Sequence, residues 1–388
     1  MNLKESLLVE TIEEIKGNGA FMSSDCIPFV TPGLSVVGFG ELSMPIISEQ
    51  LKALIALATQ APFGKGSQTI TDTSVRNTWE VDASELSFLN PAWEASLSKI
   101  INKTKKDLGI EDKEVEAHLY KLLIYEEGGF FKAHKDSEKE DGMFGTLIIG
   151  LPSAHTGGEL SLRFDGTEKS VNFHDHPTYE MPFVSFYGDC EHEISPVTSG
   201  YRVCLAYNLV SNKKKTITQP KAAKHYVKKL STILAHTMSK EENLSAPQLL
   251  LLDHQYTPTN FSLNELKGND RLRAVSLLEA AEGSPYHAKL CLLTHYQMGE
   301  LEGGYDFDRY RNYGDSNEKG EMGEIYEEYS QVKHWGEDRL PSMGELDVSN
   351  SNFINKLQIN GNPIEEYEEG YTGNAGMSME YWLSLIHI

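Results

Sequence analysis

Short apolar runs rich in β-branched and aromatic residues follow one another between Leu119 and Leu209. Each run is closed by glycine, proline or a charged or polar residue, and no helical periodicity separates one from the next. The runs are LYKLLIY, FFKAH, GTLIIGL, ELSLRF, FVSFY and YRVCLAYNL. Strands at this spacing are typical of an antiparallel sandwich or barrel.

Helical spacing of apolar residues flanks this block on both sides. It predicts helices over Pro45–Ala58 and about Trp93–Leu108, and after a polar linker at 211–221 two more over Lys221–Met238 and Leu263–Ala281. Tyr286–Tyr296 is expected to be a strand. Glu300–Glu369 holds 18 acidic against 6 basic residues, which predicts long loops around few regular elements.

The charge balance limits the choice of partners. The 388 residues carry 35 Lys and Arg against 57 Asp and Glu, a net charge of −22. Such a surface repels phosphate backbones and anionic lipid, so neither nucleic acid nor membrane is expected as a partner. The run Lys213–Lys229 has seven lysines and no acid. A solvated linker and helix face is the preferred interpretation of that run, and binding of an anionic partner stays open.

Cellular location is predicted from what the chain lacks. No apolar run approaches the roughly 18 residues of a spanning helix, and acidic residues interrupt the N-terminus where a signal peptide would be apolar. The four cysteines, Cys26, Cys190, Cys204 and Cys291, have no CxxC spacing. They are expected to be reduced thiols, not disulfides or a zinc site, in a cytoplasmic protein, with a nuclear location left open.

Candidate chemistry is concentrated inside the β-rich block. His134 and Asp136 stand two residues apart on a predicted strand, so their side chains are expected on one face. His192 follows 58 residues later, after FVSFY. Two imidazoles and one carboxylate form the facial triad of non-haem Fe(II) oxygenases, which leaves metal positions open for a 2-oxo acid and dioxygen.

Arg202 lies in the next apolar strand, ten residues after His192. A guanidinium in an apolar strand needs a counter-charge. A 2-oxo acid with a distal carboxylate supplies one, held by a bidentate pair.

The stretch from about Ala117 to Leu209 resembles the 2-oxoglutarate- and Fe(II)-dependent dioxygenase superfamily, in its prolyl 4-hydroxylase-like branch. The matching text is LLIYEEGGFFKAHKDSE, GTLIIGLPSAHTGGELSL and FVSFYGDCEHEISPVTSGYRVCLAYNL. The resemblance implies Fe(II) bound by His134, Asp136 and His192, and 2-oxoglutarate held by Arg202. Tyr125 matches a tyrosine that often lines the co-substrate pocket of this branch, and ascorbate is a further candidate cofactor.

The resemblance also implies an α+β fold with a double-stranded β-helix, or jelly roll, at its core. The expected division is an N-terminal support at 1–116, the dioxygenase core at 117–210 and a mixed C-terminal region with acidic loops at 211–388. The segment GYTGNAGMSMEYW resembles one after which larger relatives continue further, so a truncated or altered end is expected.

The function implied is hydroxylation of a C–H bond with release of succinate and CO₂. A protein, peptide or small-molecule substrate is expected, with nucleic-acid demethylation as the rival. The alternative is a non-catalytic barrel that senses iron or 2-oxoglutarate or docks a protein.

Overall fold

The computed structural model describes most of the chain. The described residues are 3–17, 19–65, 68–174, 176, 179–211, 222–238, 248–257, 261–282, 284, 286–302, 321–335, 346–348, 353–354, 365–369 and 376–387. The predicted linker at 211–221 therefore lies almost wholly outside the described residues.

Up to Ser211 the described residues form three helices and nineteen strands, besides a 3₁₀ turn at Ala83–Glu85. In chain order they are α1 (Leu3–Glu13), β1 (Met22–Pro28), β2 (Leu34–Val36), β3 (Gly40–Glu41), α2 (Ser48–Ile55), β4 (Thr59–Gln60), β5 (Phe63–Lys65), β6 (Gln68–Ile70), β7 (Arg76–Asn77), β8 (Trp79–Asp82), β9 (Leu86–Phe88), α3 (Ala92–Asp107), β10 (Val115–Tyr125), β11 (Phe130–His134), β12 (Met143–Gly150), β13 (His155–Gly157), β14 (Leu160–Phe164), β15 (Thr167–Val171), β16 (Glu180–Tyr187), β17 (Glu191–Ile194), β18 (Val197–Gly200) and β19 (Arg202–Ser211).

The second half adds two helices and six strands among its described residues. They are α4 (Lys224–Met238), β20 (Leu249–Leu251), α5 (Gly268–Glu282), β21 (Lys289–Glu302), β22 (Glu321–Trp335), β23 (Leu346–Val348), β24 (Glu365–Glu369) and β25 (Gly376–His387). The chain divides into two compact units. One comprises Lys16–Pro220 with Lys267–Asn269, and the other comprises Met1–Ile15, Lys221–Leu266 and Asp270–Ile388.

The first of these units is built on two antiparallel sheets. A seven-stranded sheet has the order β1-β16-β12-β19-β10-β8-β4, and a five-stranded sheet has the order β15-β14-β17-β11-β7. Every residue of β19 is buried, as expected for a central strand. One apolar core draws side chains from both sheets, including Leu122, Leu147, Leu162, Phe186 and Leu205.

Helix α3 covers part of this core because its apolar positions recur at helical spacing. Its Trp93 is buried, and the indole Nε1–H donates to the Tyr207 hydroxyl at 3.2 Å. Thr104, three turns further on, hydrogen-bonds the Ser185 hydroxyl of β16 at 2.8 Å. Both bonds give a buried polar group a partner and fix the helix on the strands.

The other unit combines helices α1, α4 and α5 with the sheet β20-β25-β21-β22-β23, in which β24 pairs with β25. Its separate apolar core includes Ile12, Leu230, Leu266, Leu277 and Ile386. Lys229 of α4 pairs with the Glu14 carboxylate at 2.6 Å beside the end of α1.

The strands predicted within the β-rich block are all present, and the mixed helix and antiparallel-strand architecture confirms the coarse α+β class. Two boundaries elsewhere need correction. Helix α5 begins at Gly268 rather than Leu263, and β21 extends to Glu302. Within the acidic segment the described residues include the 15-residue strand β22, which pairs with β21, and the predicted long loops lie outside the described residues. The three-part division at 116 and 210 stays a prediction.

None of the helices in the described part of the chain is long and apolar enough to cross a membrane.

Candidate metal centre

Sheet pairing brings His134 and His192 together. His134 ends β11 and His192 lies in β17, and the two are direct Cα partners across the antiparallel ladder. Their ring centroids are 4.1 Å apart. Residues opposite each other on neighbouring strands face the same side of a sheet, so both imidazoles reach one point.

Asp136 completes the group, although it does not lie on the strand as the sequence suggested. Strand β11 ends at His134, and the Asp136 backbone N–H donates to the carbonyl of Gly188 at 2.9 Å instead of continuing the ladder. Its Oδ1 lies 3.8 Å from His192 Nε2. Candidate ligand atoms of His134, Asp136 and His192 all lie within 4.8 Å of one another.

Backbone carbonyls select the tautomer of both histidines. His134 Nδ1 is 2.8 Å from the Lys132 carbonyl oxygen, and His192 Nδ1 is 3.1 Å from that of Cys190. A carbonyl only accepts, so each Nδ1 carries the proton and each Nε2 keeps a lone pair. Metal-binding histidines usually donate a hydrogen bond of this kind from the ring nitrogen that does not bind the metal.

The surroundings set the charge of the site. Burial and the neighbouring His192 lower the pKa of His134 to about 3. Burial alone would raise the pKa of Asp136, but His192, His134 and a hydrogen bond from Thr146 outweigh it and lower that pKa. At neutral pH His134 is therefore neutral and Asp136 ionised. These are the protonation states that a divalent metal requires of its ligands.

Phe131 and Phe186 pack on the two imidazoles. The Phe131 ring stacks on His134 at 3.5 Å between centroids, and the Phe186 ring lies 4.7 Å from that of His192. These contacts hold the rings in place and keep water from their apolar faces.

Arg202, the first residue of β19, places a buried guanidinium among apolar and aromatic side chains. The residue is 1% exposed. Its Nη1 contacts the Cys204 sulfur at 3.4 Å, whereas Nε and Nη2 are buried without a hydrogen-bond partner. The guanidinium carbon lies 4.9 Å from the Phe173 ring centre and 5.2 Å from that of Tyr125. A buried cation without a counter-charge is costly, so these atoms fit an anionic ligand.

Tyr125 and His155 belong to the same surroundings. Tyr125 is the direct partner of Arg202 across β10 and β19, and burial raises the pKa of its phenol, which stays protonated. His155 was not among the residues singled out from the sequence. Its Nδ1–H donates to the Ser153 carbonyl at 3.0 Å, while Nε2 is buried without a partner. Burial first, and then Arg202, lower the pKa of His155.

Thr146 of β12 was also missed. Its hydroxyl donates to Asp136 Oδ2 at 2.5 Å, which orients the carboxylate and leaves Oδ1 toward His192. Only the tertiary placement of Asp136 reveals this role, since the two residues are ten positions apart and on different elements.

We expect Thr146→Val to lower the affinity of the triad for Mn²⁺, a redox-stable probe, by about tenfold. Loss of a hydrogen bond behind a metal ligand costs 10–100-fold in affinity, and valine preserves the shape of the side chain. Titration followed by electron paramagnetic resonance of free Mn²⁺ measures the change. Thr156→Val on β13, whose hydroxyl bonds only Thr198 and Ser199 at the surface, is the matched control. Equal affinities in the two variants would contradict the role of Thr146.

Comparison with known proteins gives one family match. Residues 120–210 match the model of the 2OG-Fe(II) oxygenase superfamily. No curated protein matches the chain. The match includes Tyr125, His134, Asp136, His192 and Arg202.

Similar solved structures include a Pseudomonas putida prolyl-4-hydroxylase, which is 16% identical in sequence and has a TM-score of 0.31. The alignment covers 53% of this chain and 99% of the hydroxylase chain. A prolyl hydroxylase from Trichoplax adhaerens, solved with a hypoxia inducible factor peptide fragment, has 13% identity, covers 53% of this chain and 90% of its own, and has a TM-score of 0.32. TM-scores of this size do not establish a common fold.

Proposed function

We propose that this protein, whose residues 120–210 form a 2OG-Fe(II) oxygenase domain, hydroxylates a C–H bond of a protein side chain or small molecule. The domain is that of a 2-oxoglutarate-dependent enzyme, with Fe(II) as its metal and 2-oxoglutarate as co-substrate. One atom of dioxygen would enter the substrate as hydroxyl, and the other would enter succinate as 2-oxoglutarate loses CO₂. The convergence of His134, Asp136 and His192 within 4.8 Å carries this proposal.

Each residue of the site has a distinct part in the proposal. His134, Asp136 and His192 would hold the iron, which supplies the oxidising chemistry when bound. Arg202 would bind the distal carboxylate of 2-oxoglutarate through its unpartnered Nε and Nη2 atoms. Tyr125 would line the same pocket and, with its protonated phenol, can donate a hydrogen bond to a carboxylate.

The two sheets that share the core of this unit support a double-stranded β-helix as the scaffold of the site. His134 and His192 belong to the five-stranded sheet, whereas Tyr125, Thr146 and Arg202 belong to the seven-stranded one. In this proposal the metal and the co-substrate bind between the sheets, in a space walled by apolar side chains that exclude water.

Charge favours a peptide or small molecule over a nucleic acid as the substrate. Residues 117–210 alone carry seven Lys and Arg against fourteen Asp and Glu, a net charge of −7. A nucleic-acid enzyme needs cations that track phosphates, and their binding would depend steeply on salt. The prolyl 4-hydroxylase-like branch and a cytoplasmic location are part of this proposal, and an extended neutral or cationic peptide suits the acidic domain.

Succinate release tests the function. Protein loaded with Fe(II) and 2-oxoglutarate is expected to form succinate slowly by itself and faster with a proline-containing peptide that gains one oxygen atom. Methylated single-stranded oligonucleotides are the comparison substrate and are expected to stimulate nothing. Binding of 2-oxoglutarate with no succinate formed would favour the non-catalytic sensor, and oligonucleotide-stimulated release would overturn the substrate class.

We expect His155→Leu to weaken 2-oxoglutarate binding by about tenfold. Without an anion His155 is neutral, with its proton on Nδ1 and its pKa lowered by burial and Arg202. A carboxylate bound beside Arg202 would favour a second proton on Nε2, and the resulting charged hydrogen bond would contribute about 1.5–3 kcal/mol. Calorimetric titration of Mn²⁺-loaded protein with 2-oxoglutarate measures the affinity. Mn²⁺ binding should stay unchanged, and His225→Leu, an exposed histidine of α4, serves as the control. Unchanged 2-oxoglutarate affinity would exclude His155 from the pocket.

A further inference from the structure

A second cluster of metal-ligand side chains lies at the edge of the seven-stranded sheet. Cys26 is on the edge strand β1, Glu180 is the first residue of β16, and His176 lies four residues before Glu180. One ligand atom from each of the three lies within 4.8 Å of the others. Among the described residues, only this group and the His134, Asp136 and His192 triad meet that criterion.

The register of the sheet explains how Cys26 and Glu180 meet. Cys26 pairs directly with Pro182, and Glu180 is two residues before Pro182 on the same strand. Side chains two apart share a face, so Glu180 is the diagonal neighbour of Cys26. His176 completes the group, and its Nδ1 lies 3.1 Å from the Cys26 sulfur.

The tautomer of His176 directs its lone pair at the thiol. Its Nε2 is 3.0 Å from the Asn172 carbonyl oxygen, which can only accept, so Nε2 carries the proton. Nδ1 is therefore the free ligand atom, and it is the atom nearest Cys26. A carbonyl behind a histidine in this way orients metal-binding imidazoles, as it does for His134 and His192.

The charge around the cluster favours a cation. A carboxylate oxygen of Glu180 lies within 4.8 Å of the Cys26 sulfur, and Asp25 Oδ1 accepts a hydrogen bond from the Cys26 backbone N–H at 2.8 Å. A divalent metal bound at the cluster would be held as well by the thiolate, since a coordinating thiol is deprotonated outright. A sulfur, an imidazole nitrogen and a carboxylate oxygen suit zinc-like borderline metals, whereas calcium and magnesium prefer oxygen alone.

We propose that Cys26, His176 and Glu180 form a second divalent-metal site, for zinc or a cation of similar chemistry, with solvent in the remaining position. Zinc bond lengths and a tetrahedral angle require the sulfur and nitrogen to be about 3.5 Å apart. The observed 3.1 Å is the length of a thiol-to-imidazole hydrogen bond, and small side-chain rotations open it to the required distance. A bound metal would join the edge strand β1 to His176 and to the first residue of β16.

Cobalt titration of the metal-free full chain distinguishes this site from the triad. Co²⁺ bound to a thiolate gives a near-ultraviolet charge-transfer band, which two histidines and an aspartate cannot produce. We expect wild type to bind two equivalents of Co²⁺ and to show the band. The double variant His134→Ala, His192→Ala should bind one equivalent of Co²⁺ and keep the band. The second site is therefore tested independently of the triad, and the test would stand even if the proposed function were wrong.

Two further variants test the ligands of the second site. Cys26→Ser should abolish the band. His176→Leu should lower the Co²⁺ affinity of the band-forming site at least 100-fold, which is more than the 10–100-fold expected if His176 were only an outer hydrogen-bond partner. Cys291→Ser is the matched control, because this buried cysteine of the other unit should leave the titration unchanged. A wild type without the band, or a band that persists in Cys26→Ser, would overturn the site.

Discussion

Replacing His192 with alanine is expected to eliminate succinate formation while the protein stays folded. His192 supplies one of three ligand atoms, and its Nε2 is the free one because Nδ1–H donates to the Cys190 carbonyl. Loss of an outer hydrogen bond already costs 10–100-fold in metal affinity, so loss of a ligand should exceed about 100-fold. The fold should survive, although the variant loses one hydrogen bond of about 1 kcal/mol and the packing of the buried imidazole on Phe186, so a lower melting temperature is expected.

Metal titration and succinate release measure the two effects side by side. Far-ultraviolet circular dichroism and the melting temperature report whether the fold is kept. His118→Ala is the matched control, because this exposed histidine of β10 contacts only the surface carboxylates Glu116 and Glu140. His134→Ala should behave as His192→Ala does. Identical metal titrations of wild type and His192→Ala would show that the ligand assignment is wrong.

The sequence predicted the strands of the site well because local signals were sufficient there. Strand β19 is apolar at almost every position and is buried throughout, as its composition indicates. The same kind of signal placed β11, which carries His134. His192 was expected in a polar break after FVSFY, whereas it lies on the short strand β17, whose sequence EHEI has no apolar run. The position of Asp136 was inferred from strand geometry, yet it depends on the bond between its N–H and the Gly188 carbonyl. No local pattern encodes that contact.

Contacts between distant strands account for most of what the sequence did not reveal. Cys26 and His176 are 150 positions apart and meet only because β1 pairs with β16 at the sheet edge. The sequence analysis expected reduced thiols, and Cys26, Cys190, Cys204 and Cys291 are free cysteines in the structure. Their spacing along the chain gave no sign that a histidine lies beside Cys26. Likewise Glu324 and Glu327 of β22 are exposed, so acidic composition was compatible with a strand whose ladder partner is β21.

Replacing Arg202 with methionine is expected to remove 2-oxoglutarate binding. The same change should not destabilise the protein when 2-oxoglutarate is absent. The guanidinium is buried, with Nε and Nη2 unpartnered and only a sulfur contact at Nη1. Removing one member of a buried ion pair costs about 3–5 kcal/mol, so 2-oxoglutarate affinity should fall roughly 10²–10⁴-fold. In the absence of 2-oxoglutarate the cation has no counter-charge. Methionine of similar volume should therefore keep or raise the melting temperature.

Thermal unfolding of Mn²⁺-loaded protein with and without 2-oxoglutarate separates binding from structure. At a hundred times its dissociation constant the ligand should stabilise wild type by about 2.7 kcal/mol, and Arg202→Met should show almost no shift. Mn²⁺ affinity should be unchanged, because Arg202 contacts none of the three ligand residues. Arg163→Met is the matched control, since this partly exposed arginine of β14 pairs with Glu193 at 2.5 Å and should leave the ligand-induced shift intact. If Arg202→Met lowered the melting temperature of ligand-free protein and kept the 2-oxoglutarate shift, Arg202 would be a structural residue rather than the anchor of the co-substrate.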